Sequence, residues 1–158
     1  MPLTGITPVP PAACIEVSRS AALTENPWFS GFFSLTGAGR SLVLRCPLPV
    51  NNIDLSGTTN DNDLSQIRVH YRDTDGTGSG TSVAVALIKT AVPTTIGGSQ
   101  NTTVCSWFSS TDGTGATTTT RATKACAHDL AAGAFYHLQV SLQSSQGHNA
   151  QFLGVDFP

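Results

Sequence analysis

Charge is what this chain has least of. Asp, Glu, Lys and Arg make up 11% of its 158 residues, against about a quarter in an ordinary soluble domain. The eight Lys and Arg are scattered, no basic stripe alternates with aromatics, and the formal net charge is −2, so nucleic acid is not an expected partner. Glutamate is nearly missing. Only Glu16 and Glu25 occur, both near the start, which leaves little material for the paired carboxylates of glycoside hydrolysis. Long apolar runs are missing too. The longest, Val83 to Ile88, is far short of the ~20 residues of a membrane helix, so no membrane span is expected. The first residues lack a basic region followed by an apolar one, so they do not read as a signal peptide. That start suggests a mature form carrying a Met, or export by another route.

Catalytic motifs are also lacking. There is no G-x-S-x-G elbow and no phosphate-cradling loop ahead of a helix. The adjacent pair His128-Asp129 is poor triad geometry, because triad members meet across space rather than along the chain. The other histidines, His70, His137 and His148, are spread widely and read as surface residues. A non-enzyme is expected.

What the chain does contain is Thr, Ser, Gly and Ala, and one near-repetition. Thr74-Asp75-Gly76-Thr77-Gly78 and Thr111-Asp112-Gly113-Thr114-Gly115 are identical and lie 37 positions apart. Each stands between two β-type runs: Gln66–Arg72 and Thr81–Ile88 for the first, Thr103–Phe108 and Thr117–Lys124 for the second. Read locally, this is strand, Asp-Gly turn, strand, written twice as two hairpins. Arg40–Cys46 alternates with Leu42, Leu44 and Cys46 on one face, and Phe135–Gln143 with Tyr136, Leu138, Val140 and Leu142 inward. A closing strand over Ala150–Phe157 should bury Phe152 together with Leu153 or Val155. About eight such strands and no amphipathic helix predict an all-β fold: an antiparallel two-sheet β-sandwich, jelly-roll-like, with two disulfides. Residues 14–158 would form the single domain. Residues 1–13, with Pro2, Pro8, Pro10 and Pro11, would form an extended arm, since proline cannot donate to a ladder.

Cys14, Cys46, Cys105 and Cys126 are widely spaced with no C-x-x-C. A zinc centre ordinarily shows a close ligand pair, so disulfides in an oxidising compartment are the better reading. In the repeat, Cys105 aligns with Arg68 and Cys126 with Lys89, the outer flanks of the two expected hairpins. Such flanks should face each other across a strand pair, which predicts Cys105–Cys126 and, by elimination, Cys14–Cys46.

Three groups of residues are candidates for binding. Asp73-Thr74-Asp75-Gly76-Thr77-Gly78 resembles the start of a calcium loop, with Asp73 and Asp75 as ligands. The full EF-hand pattern is not met, and a plain turn explains the same residues. No other cofactor is implied. Asn60-Asp61-Asn62-Asp63 could add oxygens or be a solvated loop. Trp28, Phe29, Phe32 and Phe33 form the densest aromatic cluster. With Trp107 and Tyr71 they could make a carbohydrate platform. Trp107 aligns with His70, on the face carrying Arg68 and Arg72. It is therefore either an exposed stacking surface, or covered under a loop with Phe108 in the core. Asn101-Thr102-Thr103 fits a glycosylation acceptor, and Thr117–Thr120 suits an exposed strand.

Two functions fit. The first is a non-catalytic structural or assembly protein of an extracellular, cell or virion surface, self-associating through its N-terminal arm. The second is a carbohydrate- or ligand-binding sandwich module, with calcium as a structural ion.

Overall fold

The structure is a computed structural model that describes residues 8–48, 64–91, 96, 100–113, 119–131 and 134–158. Its ten strands are β1 (Ile15–Arg19), β2 (Trp28–Phe29), β3 (Phe32–Thr36), β4 (Arg40–Pro47), β5 (Leu64–Asp73), β6 (Ser82–Ala91), β7 (Asn101–Phe108), β8 (Thr120–His128), β9 (Ala134–Ser144) and β10 (Asn149–Asp156). One helical turn, α1 (Ser109–Asp112), follows β7, and a 3-10 turn, Pro11–Ala13, precedes β1. The strands form two five-stranded sheets. Sheet I has the order β1-β4-β9-β6-β7 and sheet II the order β2-β3-β10-β5-β8. Every pairing between strands is antiparallel.

Set aside the two outer strands β1 and β2, and the remaining eight pair as β3 with β10, β4 with β9, β5 with β8, and β6 with β7. These pairs are nested, as in one long hairpin whose two legs have been rolled over into two layers. That is the jelly roll expected from the sequence. The described residues form ten strands rather than eight because the stretch before β3 adds an edge strand to each sheet. Between β1 and β2 the chain turns at Ala21–Ala22, where the Leu23 N–H donates to the Ser20 carbonyl at 3.0 Å and Leu23 is buried.

Alternation selects the core. Leu42 and Leu44 of β4, Leu138, Val140 and Leu142 of β9, and Val83, Val85 and Leu87 of β6 meet Leu35, Ile67, Val69, Tyr71 and Phe152 from sheet II. In β10 the alternation breaks at a bulge between Phe152 and Gly154, so Phe152 and Val155 both turn inward while Leu153 stays at the surface. Gly154 holds φ at +129°, and a Cβ there would stand 3.0 Å from the Val9 carbonyl oxygen, a conformation and a clearance that suit glycine.

The twin Asp-Gly segments are not hairpins. β5 ends in sheet II and β6 begins in sheet I; β7 ends in sheet I and β8 begins in sheet II. Each segment is an arch between layers that stack about 10 Å apart. A strand that buries one face reads identically whichever sheet holds it, so the local pattern suggested neighbours where the fold has opposite walls. The two copies also differ in detail. Residues 74–77 form a turn, whereas Thr111 and Asp112 belong to α1; Thr114 and Gly115 lie outside the described residues, as do Thr117 and Thr118 of the threonine run.

Both disulfides have the expected partners, Cys14–Cys46 and Cys105–Cys126. The geometry is the reverse of the argument for them. Cys105–Cys126 joins β7 of sheet I to β8 of sheet II, tying the two layers along one flank. It is Cys14–Cys46 that lies across a strand pair, one step beyond the Ile15↔Arg45 register of β1 and β4.

The proline-rich start is also partly core. Val9 is buried and exchanges backbone hydrogen bonds with Val155 at 2.8 and 3.1 Å, taking the place beside β10 beyond the Phe152↔Phe33 pair, where β3 no longer reaches. Pro11 is buried as well. The domain's packing therefore begins before Cys14, while residues 1–7 lie outside the described residues.

Opening the Cys105–Cys126 bridge by replacing both cysteines with serine should lower unfolding free energy by about 3 kcal/mol. Urea denaturation of the variant beside the parent protein measures this, and a full-strength variant would mean that the two layers do not depend on the tie.

Candidate functional site

The arches lie side by side at one end of the sandwich and are joined by side chains. The Ser109 hydroxyl, at the start of α1, donates to Asp73 Oδ2 at the end of β5 and accepts the Val83 N–H of β6 at 2.9 Å. One oxygen thus links both crossings and both sheets. Asp73 Oδ1 accepts the Asp75 N–H at 3.1 Å, and Asp75 Oδ2 accepts the N–H groups of Gly80 and Thr81 at 3.1 and 3.0 Å. Asp75 Oδ1 faces His148 Nε2 at 4.0 Å. The Thr81 hydroxyl meets Ser145, and Thr74 Oγ1 accepts the Asn149 N–H at 2.7 Å, so the turn after β9 is stitched in too. Gly113 closes the second arch over Tyr71: a Cβ there would come within 2.3 Å of the Tyr71 hydroxyl oxygen, which only a residue without one avoids.

Asp73 is fully buried. Burial pushes its carboxyl above the ordinary carboxylate range, against the opposing pull of the hydrogen bonds from Ser109 and the Asp75 amide. As calcium candidates, Asp73 and Asp75 therefore have all four oxygens facing protein groups. Among the described residues no cluster of three His, Cys, Asp or Glu could hold a metal ion. The acidic run Asn60–Asp63 lies outside the described residues.

Trp107 takes the covered alternative, which corrects its candidacy as a stacking platform: it is 0% exposed. Its ring packs edge-on against Tyr71, likewise buried, with centroids 4.6 Å apart, and Phe108 is the exposed neighbour. Because β7 lies in the opposite sheet from β5, alignment with His70 does not put Trp107 on the same kind of face. Neither Trp107 nor Tyr71 can serve as a surface platform. Trp28 does reach the surface, packed edge-on against Phe33 at 5.0 Å, with Phe29 against Phe32 beside it.

Two surface features stand out. The first is the flank formed by β1 and β2. The two sheet orders run in step, β3 facing β4, β10 facing β9, β5 facing β6 and β7 facing β8, so both outer strands come to the same side. All five residues of β1 are exposed. Ile15 is 65% exposed, Val17 51%, Trp28 36% and Phe29 65%.

The second is the outward face of sheet II, beside a groove of about 520 Å³ lined by Pro8, Val9, Pro10, His70 and Leu153–Asp156. Arg68 grips Asp156 with Nε to Oδ1 at 2.7 Å and Nη2 to Oδ2 at 3.1 Å, and His70 Nε2 meets Oδ2 at 2.8 Å. Burial alone would raise the Asp156 carboxyl, but its bonds to Arg68 and His70 outweigh that and hold it below the ordinary range. The sequence alone does not bring this cluster together. Arg68, His70 and Arg72 were legible as one face of β5, whereas Asp156 lies 88 residues from Arg68 and joins it only through strand pairing. His70 and His137 sit on different sheets and do not meet.

No family model matches the chain, and no curated protein sequence does. Among solved structures, the enzymatically active domain of tailspike protein 4 from bacteriophage CBA120 is similar at a TM-score of 0.38 and 10% identity, over 99% of this chain and 20% of that one. The chain thus spans one fifth of that domain's chain, and a likeness so loose supports no functional inference.

Ser109→Ala should cost about 1–3 kcal/mol, because it strips the buried Val83 amide and Asp73 of their shared partner. The pH dependence carries the signature of Asp73. A carboxyl whose folded-state pKa is raised binds its proton more tightly folded than unfolded, so its contribution to stability falls as pH rises from the unfolded value through the folded one. Asp73→Asn removes that loss. In urea titrations, its midpoint relative to the parent should improve steadily from acid to neutral pH; a gap that is constant with pH would contradict the burial effect.

Proposed function

We propose that this chain is a non-catalytic structural domain of an extracellular assembly, at a cell or virion surface, and that it joins a second copy of itself through the β1–β2 flank. The observation that carries the reading is the exposure of Ile15, Val17, Trp28 and Phe29 on the two outer strands of one flank. Exposed apolar side chains on outer strands suit an interaction site, and an unpaired strand edge is a template for pairing. A twofold-related copy fits the residues of β1. Antiparallel pairing about Val17 sets Ile15 opposite Arg19 and Glu16 opposite Ser18, with no like charges facing each other. Two disulfides support an oxidising, extracellular setting, and no helix of the described residues is long and apolar enough to cross a membrane.

The arm is the weaker candidate for the contact. Its described part, from Pro8 onward, is engaged with its own sheet through Val9, so removing residues 1–13 would damage the core rather than only release a partner. A carbohydrate-binding reading keeps Trp28 as its platform, with Phe29 beside it on the same flank. Calcium would in that reading be structural, at Asp73 and Asp75.

Sedimentation over a range of concentrations separates these readings. The parent protein should associate, and Val17→Glu with Phe29→Glu should yield a folded monomer. A parent protein that is monomeric throughout would refute the assembly reading, and binding to a glycan array that Trp28→Ala abolishes would then favour the second.

A further inference from the structure

The outward face of sheet II holds an imbalance of charge that neither arch nor flank explains. Across β3, β10, β5 and β8 the alternation turns Arg68, His70 and Arg72 of β5 outward, with Arg121 of β8 opposite His70 and Gln151 of β10 opposite Arg72. Asp156 is the only carboxylate these strands turn outward, since Asp73 is buried, and both Arg68 and His70 already engage it. Lys124 is taken up by Asp112. Arg72 and Arg121 are left without an acidic partner among the described residues. Arg72 is the more telling. Its Nε is buried and has no hydrogen-bond acceptor among the described residues, a state that costs free energy and asks for an explanation. Arg121 lies diagonally across the β5–β8 ladder from Arg72, about 7–8 Å away in such a ladder, so two long guanidinium groups can converge on one ligand group. The groove begins at His70. Its lining is mostly apolar, from Pro8, Val9, Pro10, Leu153, Gly154 and Val155, and its one carboxylate, Asp156, is held by Arg68.

We propose that this face is a binding site for an acidic saccharide. Arg72 and Arg121 take a carboxylate or sulfate group in the forked geometry that guanidinium favours, and the sugar ring lies along the groove past His70. Arg68 and Asp156 position His70 and do not themselves bind. Nucleic acid fits less well, because Tyr71 of β5 and Trp107 of β7 point into the core and no Phe, Tyr or Trp ring lines the groove among the described residues for a base to stack upon.

The test is calorimetric titration of the folded protein with a heparin-derived hexasaccharide, a neutral cellohexaose and inorganic sulfate. The acidic oligosaccharide should bind, with the neutral one and sulfate alone at least tenfold weaker. Arg121→Gln, at an exposed position, should weaken binding at least tenfold without altering the melting temperature, and Arg72→Gln should do the same where it folds. Arg19→Gln, on the β1 flank, should leave binding unchanged. No binding by the parent protein overturns the proposal. So does equal loss in Arg19→Gln, which would reduce the attraction to overall charge, and so does a single-stranded oligonucleotide that binds more tightly than the hexasaccharide at the same salt concentration.

Discussion

The hydroxyl of Ser109 occupies the position on which the rest of this sandwich depends. It donates to a buried carboxylate at the end of one sheet and accepts an amide at the start of a strand in the other. Without it, Asp73 would be a buried group short of a partner, and such groups are costly. With it, the two crossings between layers are held at a common point, and the register of β5, β6 and β7 follows. The near-repeat in the sequence thereby acquires a structural meaning. The two segments are not two copies of a turn but two adjacent arches that brace one another. They diverge because Asp75 turns back onto Gly80 and Thr81, while Asp112 accepts from Phe108 and Lys124.

The opposite long sides of the sandwich are managed differently. Along β7 and β8 a disulfide bridges the layers. Along β1 and β2, among the described residues, the sheet edges are guarded by a bulge in β1 after Glu16 and by the shortness of β2. Bulges and short strands are ways of discouraging indiscriminate pairing. Exposed Ile15 and Val17 on one of these edges, and Phe29 on the other, suit a chosen partner. The polar face of sheet II is a separate matter. Its cations converge because alternate residues of β5 and β8 share a side, and nothing in the packing of the core required arginine at positions 72 and 121.

Much of the fold was legible because one-sided burial writes itself into a strand at every second residue. Leu42, Leu44, Leu138, Val140 and Leu142 were read as inward and are buried. Phe152 was as well, while the choice between Leu153 and Val155 turned on a bulge that periodicity does not contain. Trp107 is ambiguous in the sequence for the same reason that the arches resemble hairpins there: a period of two says that a strand has an inside, not which layer supplies it. The disulfide partners emerged correctly from a repeat whose geometry was otherwise, since four cysteines leave few pairings and the two correct ones survive a wrong strand neighbour.

Composition and alternation alone determined an all-β, disulfide-bonded chain with little charge, because those properties are sums over residues or follow from adjacent ones. Only the tertiary structure decided that the Asp-Gly segments cross between sheets, that Trp107 and Tyr71 lie in the core, and that Asp156 stands with Arg68 and His70. Those are matters of which strands become neighbours. Backbone pairing forms the same hydrogen bonds with any partner strand, and what selects the partner is the joint packing of side chains far apart in the chain, to which no local stretch bears witness.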